Sequence, residues 1–372
     1  MASYLLKRIL LIFPTIFGIM LISFAVVQFA PGGPVEKVIA QLTGTDVSAT
    51  SRIGGGTGDG LAGAPGAQSG QGSSDSVMSR YRGAQGLDPE FIAQLEKQFG
   101  FDKPVHERFW IMLKSYAVFD FGKSYFRDTS VLNLIKEKLP VSISLGLWMM
   151  IATYLIAIPL GIRKAVRDGE PFDTWTSGVL VIGYAIPGFL FAVLLIVLFA
   201  GSSFFQWFPS RGLWSDNWNE LSTFGKIKDY AWHLVLPLTA MAVGAFTTKT
   251  FLTKNSFLDE IRKQYVMTAR AKGLSERQVL YGHVFRNAMM LIIAGFPGAF
   301  IHAFFTGSLL IEQIFSLDGI GLLSYESIVS RDYPVVFATL YIFSLVGLIV
   351  NIVSDFIYTL IDPRVDFESR EV

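Results

Sequence analysis

Apolar residues along this chain gather into six runs, at about 9–30, 141–162, 175–200, 232–252, 288–310 and 335–361. A helix needs roughly 20 apolar residues to cross a bilayer, and every run meets that length, so the pattern predicts six transmembrane helices. Proline sits inside or near five of them, as Pro14, Pro159, Pro187, Pro237 and Pro297. A membrane bundle tolerates this because neighbouring helices satisfy the backbone groups that proline frees. The first run follows Lys7 and Arg8 as a secretory signal would. Signal cores hold only roughly 7 to 15 apolar residues, however, so the run is read as a retained first helix.

Between the first two runs lies a long segment, 31–140, expected to be external. Its first part, 43–86, includes "RIGGGTGDGLAGAPGAQSGQGSSDS". With so little to bury, it is expected to be a flexible loop. From Asp88 the pattern changes. Asp88 and Pro89 suit an N-cap and first helical position, Ile92, Leu95 and Phe99 make an apolar stripe, and Gly100 suits the C-terminal cap. A second helix is expected from Pro104 and a third after Ser130, which together would form a small external helical domain.

Between the fourth and fifth runs, Leu258, Ile261 and Tyr265 recur at helical spacing and Asp259 stands four residues before Lys263. The pattern predicts an amphipathic helix running to Lys272. Gly273 then ends it, and Ser275 with Gln278 makes a capping box that starts another. The small residues Ala269, Ala271 and Gly273, flanked by Arg270 and Lys272, would let another protein approach closely. The same pattern also fits an interfacial helix whose basic residues meet lipid phosphates.

Composition supports the membrane reading: 51% of residues are hydrophobic and 16% charged, against about a quarter charged in soluble proteins. The net charge of +1 gives no reason to expect nucleic acid. Cysteine is absent, and His106, His233, His283 and His302 lack metal-ligand spacing. Basic residues in short loops orient the chain. Lys7 and Arg8, then Arg163, Lys164 and Arg167, then Lys254 to Arg286, and finally Arg364 and Arg370 are expected in the cytoplasm, as are both termini. The opposite short loops carry only Arg211, Lys226, Lys228 and Arg331.

"FGKS" at Phe121 to Ser124 resembles the end of a phosphate loop, but Ala117 stands where the leading glycine belongs. Without such a loop the chain has no means of its own to use ATP. Ionisable residues inside the runs are functional suspects. Asp355, one turn after Asn351, is expected to hydrogen-bond structurally, and His302 is either structural or a weak candidate for the substrate pathway. No carboxylate pair or Ser/His/Asp order suggests catalysis. Trp175, Trp207 and Trp232 suit interface anchors.

The stretch "TARAKGLSERQVLYGHVFRNAM" resembles the cytoplasmic signature loop of permeases from binding-protein-dependent ABC importers, in the dipeptide, oligopeptide and nickel subfamily. The resemblance extends through "APGGP", "FDFGKSYF", "LPVSISLGL", "GSLLIEQIFSLDGIGLL" and "IDPRVDF", in family order. It covers nearly the whole chain outside the Gly/Ser-rich insert. Within the subfamily the chain looks most like the B-type permeases of Yej-type oligopeptide importers.

The resemblance implies an all-α polytopic membrane protein of the type I ABC-importer permease kind, with six transmembrane helices and an external helical insertion. Its expected parts are a first helix (1–30), an external domain (31–140) and a permease core (141–372) with a coupling loop at 253–287. ATPase coupling falls on Tyr265, Thr268, Ala269, Arg270, Ala271, Lys272, Gly273 and Ser275. Thr268 stands where the broader family has glutamate, and His283 to Arg286 replace its Ile-x-Leu-Pro. These departures put in doubt any role for the missing glutamate and proline.

The implied partners are a second homologous permease, a cytoplasmic ABC ATPase that binds ATP and Mg, a periplasmic solute-binding protein, the oligopeptide cargo and the lipid bilayer. No cofactor, metal, nucleic acid or catalytic residue is expected in this chain, and its place is the bacterial inner membrane. The alternatives are nickel as cargo and an ion-gradient-driven secondary transporter, which would show internal repeats and buried ion ligands.

Overall fold

The computed structural model describes residues 2–29, 33–42, 89–98, 100–201, 204–305 and 309–361. The expected loop at 43–86, Asp88, Phe99 and all but the first residue of "IDPRVDF" lie outside them. The described residues are mainly helical, and their β-pairing is a single antiparallel bridge between Lys123 and Ser130.

Among the described residues, four helices are long and apolar enough to cross a bilayer: α1 (Ala2–Phe29), then one at Val131–Val166, one at Thr223–Ile261 and one at Tyr333–Ile361. The third run is split. Pro171–Ala185 and Gly188–Phe199 meet at 94° and make a fifth span if taken together. The break has a local cause: Ile186 is extended (φ −85°, ψ 121°), as a residue before proline prefers, and Pro187 caps the next helix. The fifth run is also divided, into Phe285–Ala294 and Phe296–Phe305 on either side of Gly295. At 1.5 Å per residue each is about 15 Å long, short of the hydrocarbon thickness. Pro297 cannot donate the backbone bond that would carry the first helix through.

The chain clusters into two units, with divisions that fall inside helices. One unit comprises Pro14–Ile135 and Ser324–Ile342. Here α2 (Pro34–Leu42) and α3 (Pro89–Gln98) pack through Val35, Ile39, Ile92 and Leu95. Pro89 is the first residue of α3, and Gly100 follows it in the left-handed region at φ 72°. Pro104 caps α4 (Val105–Ala117). The "FGKS" stretch is a structural turn: Gly122 has φ 70°, the Ser124 hydroxyl donates to the Asp332 carboxylate, and the Tyr125 N–H donates to Asp332 Oδ1 at 3.0 Å. Tyr116, Phe121 and Tyr341 pack ring to ring beside it.

The helix expected after Ser130 does begin there, but it is not a separate element. α5 (Val131–Val166) runs unbroken for 36 residues into the second span, with Pro140 and Pro159 inside it. No glycine or loop cluster interrupts 131–145, so the polar start of the helix continues into its apolar part.

The other unit comprises Met1–Phe13, Lys136–Leu323 and Phe343–Val372. It holds α6 (Pro171–Ala185), α7 (Gly188–Phe199), α8 (Thr223–Ile261), α9 (Gln264–Ala271), α10 (Glu276–Val279), α11 (Phe285–Ala294), α12 (Phe296–Phe305) and α13 (Leu309–Ile314). The α14 helix (Ile320–Ser330) starts in it, and α15 (Tyr333–Ile361) ends in it. Ser222 caps α8, its Oγ accepting from Gly225 N. α8 packs against α6, α7 and α11, and it meets α5 at Gly161, where an added Cβ would lie 2.6 Å from Thr253 Cβ.

Two groups begin the "IEQIFSLDGIGLL" segment's tertiary role. The buried Glu312 accepts from Leu322 N at 2.8 Å, and the Ser142 hydroxyl accepts from Ile320 N at 2.9 Å. Together they satisfy first-turn donors of α14, which a helix cannot satisfy internally. Asp355 pairs with Arg8, in keeping with the structural role expected of it.

Candidate coupling site

The long amphipathic helix expected over 258–272 is two helices. α8 ends at Ile261 and α9 starts at Gln264, with Lys263 extended between them (φ −75°, ψ 151°). The expected Asp259–Lys263 pair gives way to Lys263 Nζ on Glu260 Oε2 at 2.7 Å. The break also lets Tyr265 turn back. Its hydroxyl donates to Glu260 Oε1 at 2.6 Å and accepts from Asn287 Nδ2 at 3.0 Å. One phenol thus ties the end of α8 to α9 and α11. Burial opposes ionisation of Glu260, but hydrogen bonds from Lys263 and Tyr265 outweigh it and hold the carboxyl below its ordinary range. Burial and the carboxylate it serves push the Tyr265 hydroxyl up.

The corner forms as the sequence suggests. Gly273 has φ 83°, where a Cβ is strained, and Gly273 N donates to Arg270 O at 2.9 Å. Ser275 and Gln278 form both halves of the capping box. A contact not anticipated from sequence spans the bend: the Arg270 guanidinium grips Glu276 through two parallel contacts of 3.0 Å. The spacing of six residues across a glycine turn hides such a pair from helical rules.

Of the eight expected coupling residues, Thr268, Arg270, Ala271, Lys272, Gly273 and Ser275 are exposed on the corner. Ala269 is not. It is buried with Phe257, Val266, Val279, Val284, Ala288 and Ile292 in a core that joins α8, α9, α10 and α11, so it anchors the corner and is not part of the ridge. Tyr265 is half-buried. Met267, 60% exposed, adds an apolar side chain to the surface that sequence reasoning left out. The π-turn Leu280–Val284 then leads into α11.

Beside this core stands an ionic cluster that the sequence offered only as loop charges. Lys164 is fully buried; its Nζ donates to Asp173 O, Thr176 Oγ1 and Ser177 Oγ at 2.7–2.8 Å, and lies 2.9 Å from Asp173 Oδ1. Lys254 reaches Asp173 Oδ2 at 2.7 Å and Asp168 Oδ1 at 2.8 Å. α5, α6 and α8 are thereby joined beside the coupling loop.

The same unit contains a cavity of about 840 Å³ among α5, α6, α7, α8, α12 and α13. Met149, Tyr154, Tyr184, Met241 and Lys249 line it. His302 lies in α12, but its side chain is outside the described residues. Lys249 is a charged lining residue that sequence reasoning passed over. Its signal was available, as a lysine inside the fourth apolar run.

Residues 157–367 match the family described as "Binding-protein-dependent transport system inner membrane component". The chain belongs to this family. The match takes in the whole coupling loop and most of the cavity wall. At 65% identity over the full length of both chains, the permease is similar to the "Peptidoglycan transport system permease protein YejB" of Agrobacterium fabrum. It is 58% identical, again over both full lengths, to the "Inner membrane ABC transporter permease protein YejB" of Escherichia coli O157:H7. It is 30% identical to the "Oligopeptide transport system permease protein AppB" of Bacillus subtilis, across 99% of this chain and 100% of that one. The permease is therefore a multi-pass inner-membrane subunit of an ABC importer, and ATP hydrolysis belongs to a separate subunit. A solute-binding protein and an ATPase are the partners such a system requires. The ion-gradient alternative finds no support in this membership.

Proposed function

We propose that this permease pairs with a second, homologous permease to enclose a pathway for oligopeptides or peptide-like compounds, and that it works by alternating access. Peptide cargo follows from relatives named for peptidoglycan, oligopeptides and dipeptides. ATP and Mg are held by the ATPase, and this chain holds no cofactor. Both termini face the cytoplasm, and the external part, 31–140, receives the solute-binding protein.

One observation carries the mechanism: an exposed corner at 268–275 sits on a core shared by α8 and α11. Closure of the ATPases moves the corner. Because packed cores switch between arrangements instead of deforming continuously, the movement passes to both helices and on to the cavity wall. Thr268, Arg270, Ala271, Lys272, Gly273 and Ser275 touch the ATPase, while Tyr265 and Ala269 hold the corner to the helices.

The test is Gly273→Glu. An added Cβ meets nothing within 4 Å among the described residues, so the change acts through backbone strain and whatever docks outside. Copurification of the ATPase and ATP-dependent peptide uptake into vesicles should both fall at least about tenfold, the consequence of losing roughly 1.4 kcal/mol of docking energy. Retention of both in the variant would remove the coupling assignment.

A further inference from the structure

The cavity described above presents its occupant with a positive charge that nothing else in its wall balances. Of the described residues lining it, only Lys249 and Glu312 carry a formal charge. Glu312 is committed elsewhere: it is fully buried in the cavity wall, its carboxylate accepts from the Ser142 hydroxyl and from Leu322 N, and it makes no ion pair with Lys249 among the described residues.

Lys249 is only half-buried, and among the described residues no carboxylate lies within ion-pair distance of it. Its ammonium rests 4.9 Å from the centroid of the Tyr154 ring and 3.4 Å from the Tyr154 hydroxyl, a long contact that leaves donors unused. The ring is itself fixed, edge-on to Phe296 at 5.5 Å. Tyr184, on the same wall, makes no hydrogen bond among the described residues. A lysine within a span faces a bundle interior or a water-filled cavity, because exposure to hydrocarbon costs several kcal/mol. The Lys249 ammonium and the Tyr154 hydroxyl thus lie together on the cavity wall, and among the described residues no carboxylate pairs with that ammonium.

We infer that Lys249 and Tyr154 form a carboxylate subsite in the transport pathway, which holds the C-terminal or side-chain carboxylate of a peptide in transit. An ammonium and a phenolic O–H are complementary to the two oxygens of a carboxylate, and charge-assisted bonds are stronger than neutral ones. The surrounding lining of Met149, Met150 and Met241 is apolar and adaptable, suited to varied side chains, so selection falls on the charged end of the cargo. This subsite rests on the peptide reading above and names the chemical class that it favours.

The test uses the assembled inner-membrane complex, purified without the binding protein, and a dansylated tripeptide offered with either a free C-terminal carboxylate or a C-terminal amide. The wild-type complex should bind the acid about tenfold more tightly than the amide, since a hydrogen bond to a charged group contributes roughly 1.5–3 kcal/mol. Lys249→Met should abolish that preference by weakening the acid alone, Lys249→Arg should keep it, and Tyr154→Phe should reduce it. ATPase copurification should stay unchanged in all three.

A preference that survives in Lys249→Met would overturn the subsite. So would equal weakening of both forms, which is what a lysine reaching for lipid headgroups would produce, or the absence of any preference or binding in the wild type. Failure of the peptide reading is seen separately, as a lack of ATP-driven uptake of either peptide by the wild-type system supplied with its binding protein.

Discussion

Lys164 and Asp173 show how far a single buried charge depends on its neighbours. Lys164 has no exposed side-chain surface, and its three donors are all used. Removing it as Lys164→Met leaves Asp173 with Lys254 and Gly169 N on Oδ2 and no partner for Oδ1, a loss below the roughly 3–5 kcal/mol of a fully broken buried pair. A lowered melting temperature of the solubilised complex is expected, partly restored when Asp173→Leu is added to Lys164→Met, because the half-satisfied buried carboxylate is then gone while Lys254 keeps Asp168.

Burial opposes ionisation of Asp173, yet hydrogen bonds from Lys254, Lys164 and Gly169 N lower its carboxyl from 3.8 to about 2. A native value below the unfolded one means that the stabilisation is complete above the unfolded value and is lost as pH falls through the native one. Melting temperature should therefore drop between about pH 4 and pH 2 in the wild type. Asp173→Asn should start lower at neutral pH and change less over that interval.

At the scale of elements, glycine sets how closely helices meet. An added Cβ at Gly319 would lie 2.5 Å from Glu312 Cδ, and Glu312 cannot retreat without releasing Leu322 N at the start of α14. At Gly161 the obstruction includes Thr250 O at 2.8 Å, a backbone atom of α8, so the α5–α8 crossing would have to part. Gly319→Ala and Gly161→Ala should each cost about 1–3 kcal/mol, as overpacked sites do. Gly347→Ala in α15 meets nothing within 4 Å and should be neutral or slightly stabilising. Thermal unfolding of the three variants side by side distinguishes steric crowding from a general intolerance of alanine.

For the whole molecule, the absence of cysteine makes orientation in the membrane measurable. With Ala271→Cys, a membrane-impermeant maleimide should react in inside-out vesicles and not in intact spheroplasts. Asp120→Cys, in the unit that contains α2 to α4, should react in spheroplasts. The reverse pattern would contradict cytoplasmic placement of the coupling corner. Exposed apolar side chains along α6 and α7, among them Val179, Ile182, Leu190 and Leu194, are surface that a bilayer or a second permease has to cover.

The sequence by itself determined the membrane class, where the apolar runs lie, and the glycine corner with its capping box, because these depend on run length, local backbone preference and contacts within four residues. Only the tertiary structure decided that Ala269 packs inward, that Arg270 grips Glu276 across the bend, and that Lys164, Asp173 and Lys254 meet. It alone also showed that the Glu312 carboxylate is taken up by Ser142 and Leu322 N while the half-buried Lys249 lines the cavity. Each of these joins residues whose separation along the chain carries no periodic signal, so only the packing of helices against one another could bring them together.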